Sequence, residues 1–121
     1  MGTTKRELEL SVVLPVFNEG EVIGSVVDQA VEYLEGRGID YEINLVDDGS
    51  ADATPSVVRA MCGRNPRLRW LRHDSNRGYG AALRTGIGAA RGRRILVSDG
   101  DGQFPIEGFG TLWERRGDAD M

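Results

Sequence analysis

Two hydrophobic periods alternate along the chain. Leu8 to Val16 (LELSVVLPV) alternates and then runs apolar, the pattern of a strand buried on both faces, and Pro15 falls near its end, where a lost ladder hydrogen bond is tolerable. Asn18-Glu19-Gly20-Glu21 follows with capping-box spacing, Asn18 placed to accept from the first helical amides and Glu21 to reach back. Val22, Ile23, Val26, Val27, Ala30, Val31 and Leu34 then recur at helical spacing until Gly36 and Gly38 stop them. Tyr41 to Val46 predicts a second strand, ending at Asp47-Asp48-Gly49-Ser50-Ala51-Asp52. Thr54 reads as an N-cap and Pro55 as the first position of a second helix, whose stripe Val57, Val58 and Met61 runs to Gly63. Leu68 to Leu71 is a short third strand. Beyond Asp74-Ser75-Asn76-Arg77-Gly78, a glycine- and alanine-rich helix is predicted over Tyr79 to Ala90, its small residues suited to close approach to a sheet or ligand. Arg94 to Ser98 reads as a fourth strand. Pro105 to Arg116, with Ile106, Phe109, Leu112 and Trp113 on one side, predicts a further helix.

Strands alternating with helices imply βαβ units, a parallel sheet and right-handed crossovers, so the class is α/β. Ligands of such sheets sit at the carboxyl ends of the strands, near the switch point. Asn18-Glu19, Asp47-Asp48, Asn76-Arg77 and Asp99 to Gln103 all fall there. Polar loops gathered on one rim predict a site.

Composition narrows the function. A length of 121 residues allows one domain, and a net charge of -4 with 28% charged residues excludes a nucleic-acid-coating protein. The 17 glycines, about twice the usual ~7%, fall at the ends of periodic segments and read as tight turns. Cys62 is the only cysteine, which rules out an internal disulfide and a cysteine-built zinc site and suits a reducing compartment. Apolar runs are a few residues long, far below the ~20 of a membrane span, and Met1 to Glu9 has no apolar signal region. The expected location is cytoplasmic.

Several site chemistries are excluded by spacing. The loop after the first strand, Phe17-Asn18-Glu19-Gly20, lacks the glycine triplet of a dinucleotide site, and no GxxxxGK[ST] occurs. An EF-hand starting at Asp99 would need glycine where Phe104 stands and glutamate where Gly110 stands. What remains is Asp99 and Asp101, two residues apart at a strand end, with the Gln103 amide oxygen behind them. Such an all-oxygen group suits a hard divalent ion, Mg2+ or Mn2+, that keeps positions open for phosphate oxygens. Read on the residues alone, Asp-Gly-Asp-Gly is equally a simple turn.

Taken together, VVLPVFNEGEVI, INLVDDGSADAT, NRGYGAALRTGI and VSDGDGQFP resemble the family 2 glycosyltransferases of the GT-A fold, and most of all the branch containing dolichyl- and polyprenyl-phosphate sugar transferases. The resemblance runs from about Ser11 to Pro105. It implies a Rossmann-like, mostly parallel sheet with flanking helices, and transfer of a sugar from a UDP- or GDP-sugar, metal-assisted and with inversion, to a polyprenyl phosphate. Pro15, Phe17 and Glu19 would lie along the nucleoside, Phe17 standing where tyrosine is common. Asp48 would contact the base or ribose, while Asp47 anchors the loop. Arg77 and Gly78 would lie near the ribose and diphosphate, Arg77 as the cation. Asp99 and Asp101 match the DxD motif, Asp99 also facing the nucleotide sugar; Asp101 is the stronger metal ligand and Gln103 the third.

Other polar residues take plainer readings. Glu19 reads alternatively as a helix-capping residue, Asp52 and Thr54 read as caps, and His73 stays unassigned because nothing in the sequence pairs it with a nucleophile or base. No general base for an acceptor hydroxyl can be named. Residues 1–121 are therefore expected to be the N-terminal donor-binding portion of a truncated glycosyltransferase domain, with 1–7 a flexible terminus. The expected consequences are self-association through an uncovered sheet edge and peripheral association at a cytosolic membrane face. The alternative is a nucleotide or nucleotide-sugar binding module without catalysis.

Overall fold

A computed structural model describes residues 8–98. Its elements are β1 (Leu10–Val16), α1 (Ile23–Gly36), β2 (Tyr41–Asp48), α2 (Thr54–Arg64), β3 (Leu68–His73), α3 (Tyr79–Gly88) and β4 (Arg94–Val97). The strands form a parallel sheet in the order β3-β2-β1-β4. The chain thus steps outward from β1 to β3 and then returns across β1 to β4. With right-handed crossovers that reversal puts α1 and α2 on one face and α3 on the other, and opens a switch point between β1 and β4.

Side-chain parity gives the faces different characters. Leu10, Val12, Leu14 and Val16 of β1 and Tyr41, Ile43 and Leu45 of β2 pack with Ile23, Val26, Val27, Ala30 and Leu34 of α1 and Val58 and Met61 of α2 in the main core. Full burial of each large side chain stabilises by roughly 1.5–3 kcal/mol, so most of the apolar driving force lies here. Among the described residues the α3 face holds only Val13, Val46 and Ala82 in its buried cluster, with Leu71 and Leu83 against it. α3 lies so close to the sheet that a Cβ on Gly86 would collide with Val13 Cγ1 and Val46 Cγ2. The small residue at Gly86 is therefore a packing requirement, whereas Gly80 and Gly88 have room for a side chain.

The α3 face is polar at the end of the sheet away from the strand carboxyl termini. Glu42 there is 1% exposed, and its Oε2 accepts from Ser11 Oγ at 2.6 Å and Arg91 N at 2.8 Å. Arg91 Nε at 2.9 Å and Arg69 Nη1 at 3.3 Å reach Oε1, and Arg69 also donates to the Ala89 carbonyl. Burial pushes the Glu42 carboxyl up, but Ser11 and Arg91 outweigh it and hold it below the usual carboxylate range.

Several boundaries correct the expectations. β1 begins at Leu10, β4 closes at Val97 and α3 closes at Gly88. β2 and β3 each run two residues further, because the polar pairs Asp47↔Arg72 and Asp48↔His73 continue the parallel ladder. The capping box does not form: the N-cap of α1 is Val22, which has no side-chain cap, and Asn18 lies a turn too early. Thr54 is the first helical residue of α2 and the N-cap is Ala53, which has no side-chain cap, so neither Asp52 nor Thr54 is the N-cap; Asp52, one residue earlier, accepts from the Thr54 amide through Oδ1 at 2.8 Å. Pro15 costs no ladder bond among the described residues, since its amide position faces the β4 side beyond the last pair, Val13↔Val97. The helix expected over 105–116 lies outside the described residues, as do residues 1–7.

Candidate functional site

Loops after β1, β2 and β3 are fastened to one another at the strand carboxyl ends. Asn18, at φ 53°, donates its amide to Ser50 Oγ at 2.9 Å, and its Oδ1 accepts from the amides of Ala51 at 2.9 Å and Asp52 at 3.3 Å. Fully buried Asp47 turns the second loop by accepting from Ser50 N at 2.9 Å, the loop-anchoring role expected of it. Gly49 has φ 76°, and a Cβ there would lie 2.6 Å from Asn76 N and Ser75 C. Only glycine lets the second and third loops touch this closely.

Asp48 ends β2 on the α3 face and is 4% exposed. Its Oδ1 accepts from Arg77 N at 2.9 Å and from His73 Nδ1 at 2.7 Å; its Oδ2 accepts from Gly78 N at 2.9 Å. Burial raises its pKa, but these donors together prevail and hold the carboxyl below its ordinary range. An ionised carboxylate only accepts, so Nδ1 of His73 donates to it, while Nε2 pairs with Thr85 Oγ1, 2.7 Å away.

The other expected residues surround this centre. Pro15 and Glu19 are half-buried, and the Glu19 carbonyl accepts from the amides of Val22 and Ile23 where α1 starts. Phe17 is 43% exposed on the rim. Arg77 has its amide fixed by Asp48 while the residue is exposed, with no ion pair among the described residues. Gly78, at φ 98°, is the N-cap of α3. Asp99, Asp101 and Gln103 lie outside the described residues. Ser98, the last described residue, donates its amide to Val13 O at 3.0 Å. Among the described residues no three carboxylate, imidazole or thiol groups gather to hold a metal.

His73 is the residue that sequence reasoning missed. Left unassigned on the sequence, it is the last residue of β3, and the structure pairs it with Asp48 and Thr85. The signal was strand register: extending the apolar parity of β2 and β3 by two residues places Asp48 beside His73 on one face.

Residues 11–118 match the family described as glycosyl transferase family 2. The dolichyl-phosphate beta-glucosyltransferase of Homo sapiens is 40% identical over 106 residues, covering 80% of this chain and 33% of that protein. The dodecaprenyl-phosphate galacturonate synthase of Rhizobium johnstonii is 41% identical over 97 residues, covering 79% and 29%. The chain spans about a third of the length of the curated relatives it matches. Among solved structures, the mannosyltransferase PcManGT of Pyrobaculum calidifontis in complex with GDP-Man and Mn2+ superposes with a TM-score of 0.78 at 26% identity, covering 92% of this chain and 33% of that one. TarS of S. aureus in complex with UDP-GlcNAc has a TM-score of 0.75 at 22% identity over 92% of this chain and 32% of its own, a likeness of fold. No helix among the described residues is long and apolar enough to cross a membrane. By its family match and its structural likeness, the chain belongs to the family 2 glycosyltransferases, has their Rossmann-like GT-A fold, and is related to the dolichyl- and polyprenyl-phosphate sugar transferases.

Proposed function

We propose that residues 1–121 form the donor-binding portion of a glycosyltransferase that moves a sugar from a UDP- or GDP-sugar to a polyprenyl phosphate, with divalent-metal assistance and inversion. The observation that carries this reading is the Asp48 carboxylate holding the amides of Arg77 and Gly78 at the rim where the loops after β1, β2 and β3 meet. Among the described residues Asp48 Oδ2 receives one donor and so retains capacity for an N–H or O–H of a base or ribose. Exposed Phe17 offers an aromatic face for a base to lie along, beside Pro15 and Glu19. Arg77 supplies the cation for the diphosphate, and its fixed amide limits where that cation goes.

Asp99, Asp101 and Gln103 are the residues that would hold Mg2+ or Mn2+; their oxygen donors suit such an ion, and a relative of this fold carries Mn2+ with GDP-Man. When bound, the ion neutralises charge growing on the diphosphate leaving group. A lipid-linked acceptor places the working protein at the cytosolic membrane face. Any self-association uses β4, where Ile95 and Val97 are 38% and 37% exposed, because the β3 edge carries Arg69 and Arg72; sedimentation velocity across concentrations checks this.

Calorimetric titration of the chain with UDP and GDP, with and without Mn2+, tests the reading. Saturable, metal-dependent binding that Asp101→Ala lowers by at least about tenfold is expected. No binding to a demonstrably folded chain contradicts it. Turnover with donor plus polyprenyl phosphate separates a transferase from a binding module, since binding alone fits both.

A further inference from the structure

Buried His73 spends both ring nitrogens on a span between two elements, Asp48 at the end of β2 and Thr85 on α3. At 5% exposure an apolar residue would fill the same volume without needing partners at either end. The partners are also unequal. Thr85 holds the ring, whereas Asp48 passes the restraint on, because the oxygen that receives His73 Nδ1 also receives Arg77 N, and its twin receives Gly78 N. A carboxylate free to turn about its last side-chain bond cannot keep two separate amides in line. The third donor, fixed from α3, removes that freedom.

We infer that His73 is a positioning residue: anchored by Thr85, it locks the Asp48 carboxylate in the orientation that binds the Arg77 and Gly78 amides, and so sets where the Arg77 cation meets a bound diphosphate. The last clause rests on the donor-site reading above; the loop-setting role does not. His73 touches neither donor nor acceptor in this scheme and acts through Asp48.

Asparagine and glutamine dissect the span, since an asparagine amide overlaps the place of Nδ1 and a glutamine amide that of Nε2. His73→Asn keeps the donor to Asp48; His73→Gln and His73→Leu do not. In the ligand-free chain, amide hydrogen exchange read by NMR is expected to show Arg77 and Gly78 protected in the parent and in His73→Asn, and deprotected at least about tenfold in His73→Leu and His73→Gln. Titration with UDP and GDP plus Mg2+ is expected to follow the same order, with His73→Asn within about threefold of the parent and His73→Leu weaker by about tenfold or more. Melting temperatures of the variants are measured alongside. Unchanged exchange at Arg77 and Gly78 in His73→Leu overturns the inference, as does loss in all three variants that tracks melting temperature without rescue by asparagine. If the parent binds neither nucleotide, the donor-site reading fails, and the exchange arm still decides whether His73 sets the loop.

Discussion

β2 carries two buried carboxylates on the same face, six residues apart, and they are put to different uses. Glu42 is enclosed by Ser11, Arg69 and Arg91, so that two guanidinium groups answer its charge and the 89–92 segment is fastened to the sheet. Asp48 is answered by two backbone amides and an imidazole, with no guanidinium paired to it among the described residues. Both carboxyls lie below their ordinary range, yet only the second leaves an acceptor position on the rim where ligands of α/β sheets bind. A neutralised carboxylate closes structure. One held by amides shapes a loop and, in the donor site proposed above, keeps negative potential for a ligand's donors.

The largest effect expected from breaking this contrast is at Glu42. Glu42→Ala strands Arg69 and Arg91 and should cost about 3 kcal/mol in denaturant unfolding, the low end for breaking a buried pair because the Arg91 side chain is 63% exposed; nucleotide affinity per folded molecule should stay put. Asp48→Asn should cost about 2 kcal/mol through weakened charge-assisted hydrogen bonds, and calorimetry should show UDP or GDP affinity falling by about tenfold or more. The two sites are then separable, one through stability alone and the other through both.

Acid unfolding sharpens the same contrast more gently. The folded-state pKa values of Glu42 and Asp48 lie below their unfolded ones, so their stabilisation is fully present above about pH 5 and is lost as pH falls below about 4 through the folded values. A Glu42→Gln, Asp48→Asn double variant should show a flatter acid limb than the parent in unfolding free energy measured from pH 6 to 3. The smallest stability effect belongs to exposed Arg77. Arg77→Ala should change unfolding by no more than about 0.5 kcal/mol while weakening UDP or GDP binding, because the side chain, unlike the amide, carries no structural load.

Much of this was legible in advance. Apolar patterning located the described strands, α1 and α2, glycine and alanine content located α3, and the fourfold set of motifs pointed to the family that residues 11–118 match. Periodicity failed where polar residues continue a strand: Asp47, Asp48, Arg72 and His73 look like loop, and only the neighbouring strand supplies the partners that keep them in register. Asn18 misled for a related reason. Its spacing to Glu21 fits a cap, but the amides it satisfies are those of Ala51 and Asp52, more than thirty positions away. Local spacing identified the site loops, whereas their fastening to one another depends on tertiary contacts that no window of sequence contains.

The most direct test is an NMR titration of the isotope-labelled chain with UDP and GDP in the presence of Mg2+, following backbone amides at both ends of β2. The prediction is saturable perturbation at Phe17 to Glu19, Asp48 to Ser50 and Asn76 to Gly80, with Glu42, Arg69 and Arg91 unmoved. Perturbation centred on the Glu42 end, or none at either end of a folded chain, would contradict the assignment of the Asp48 rim as a donor site.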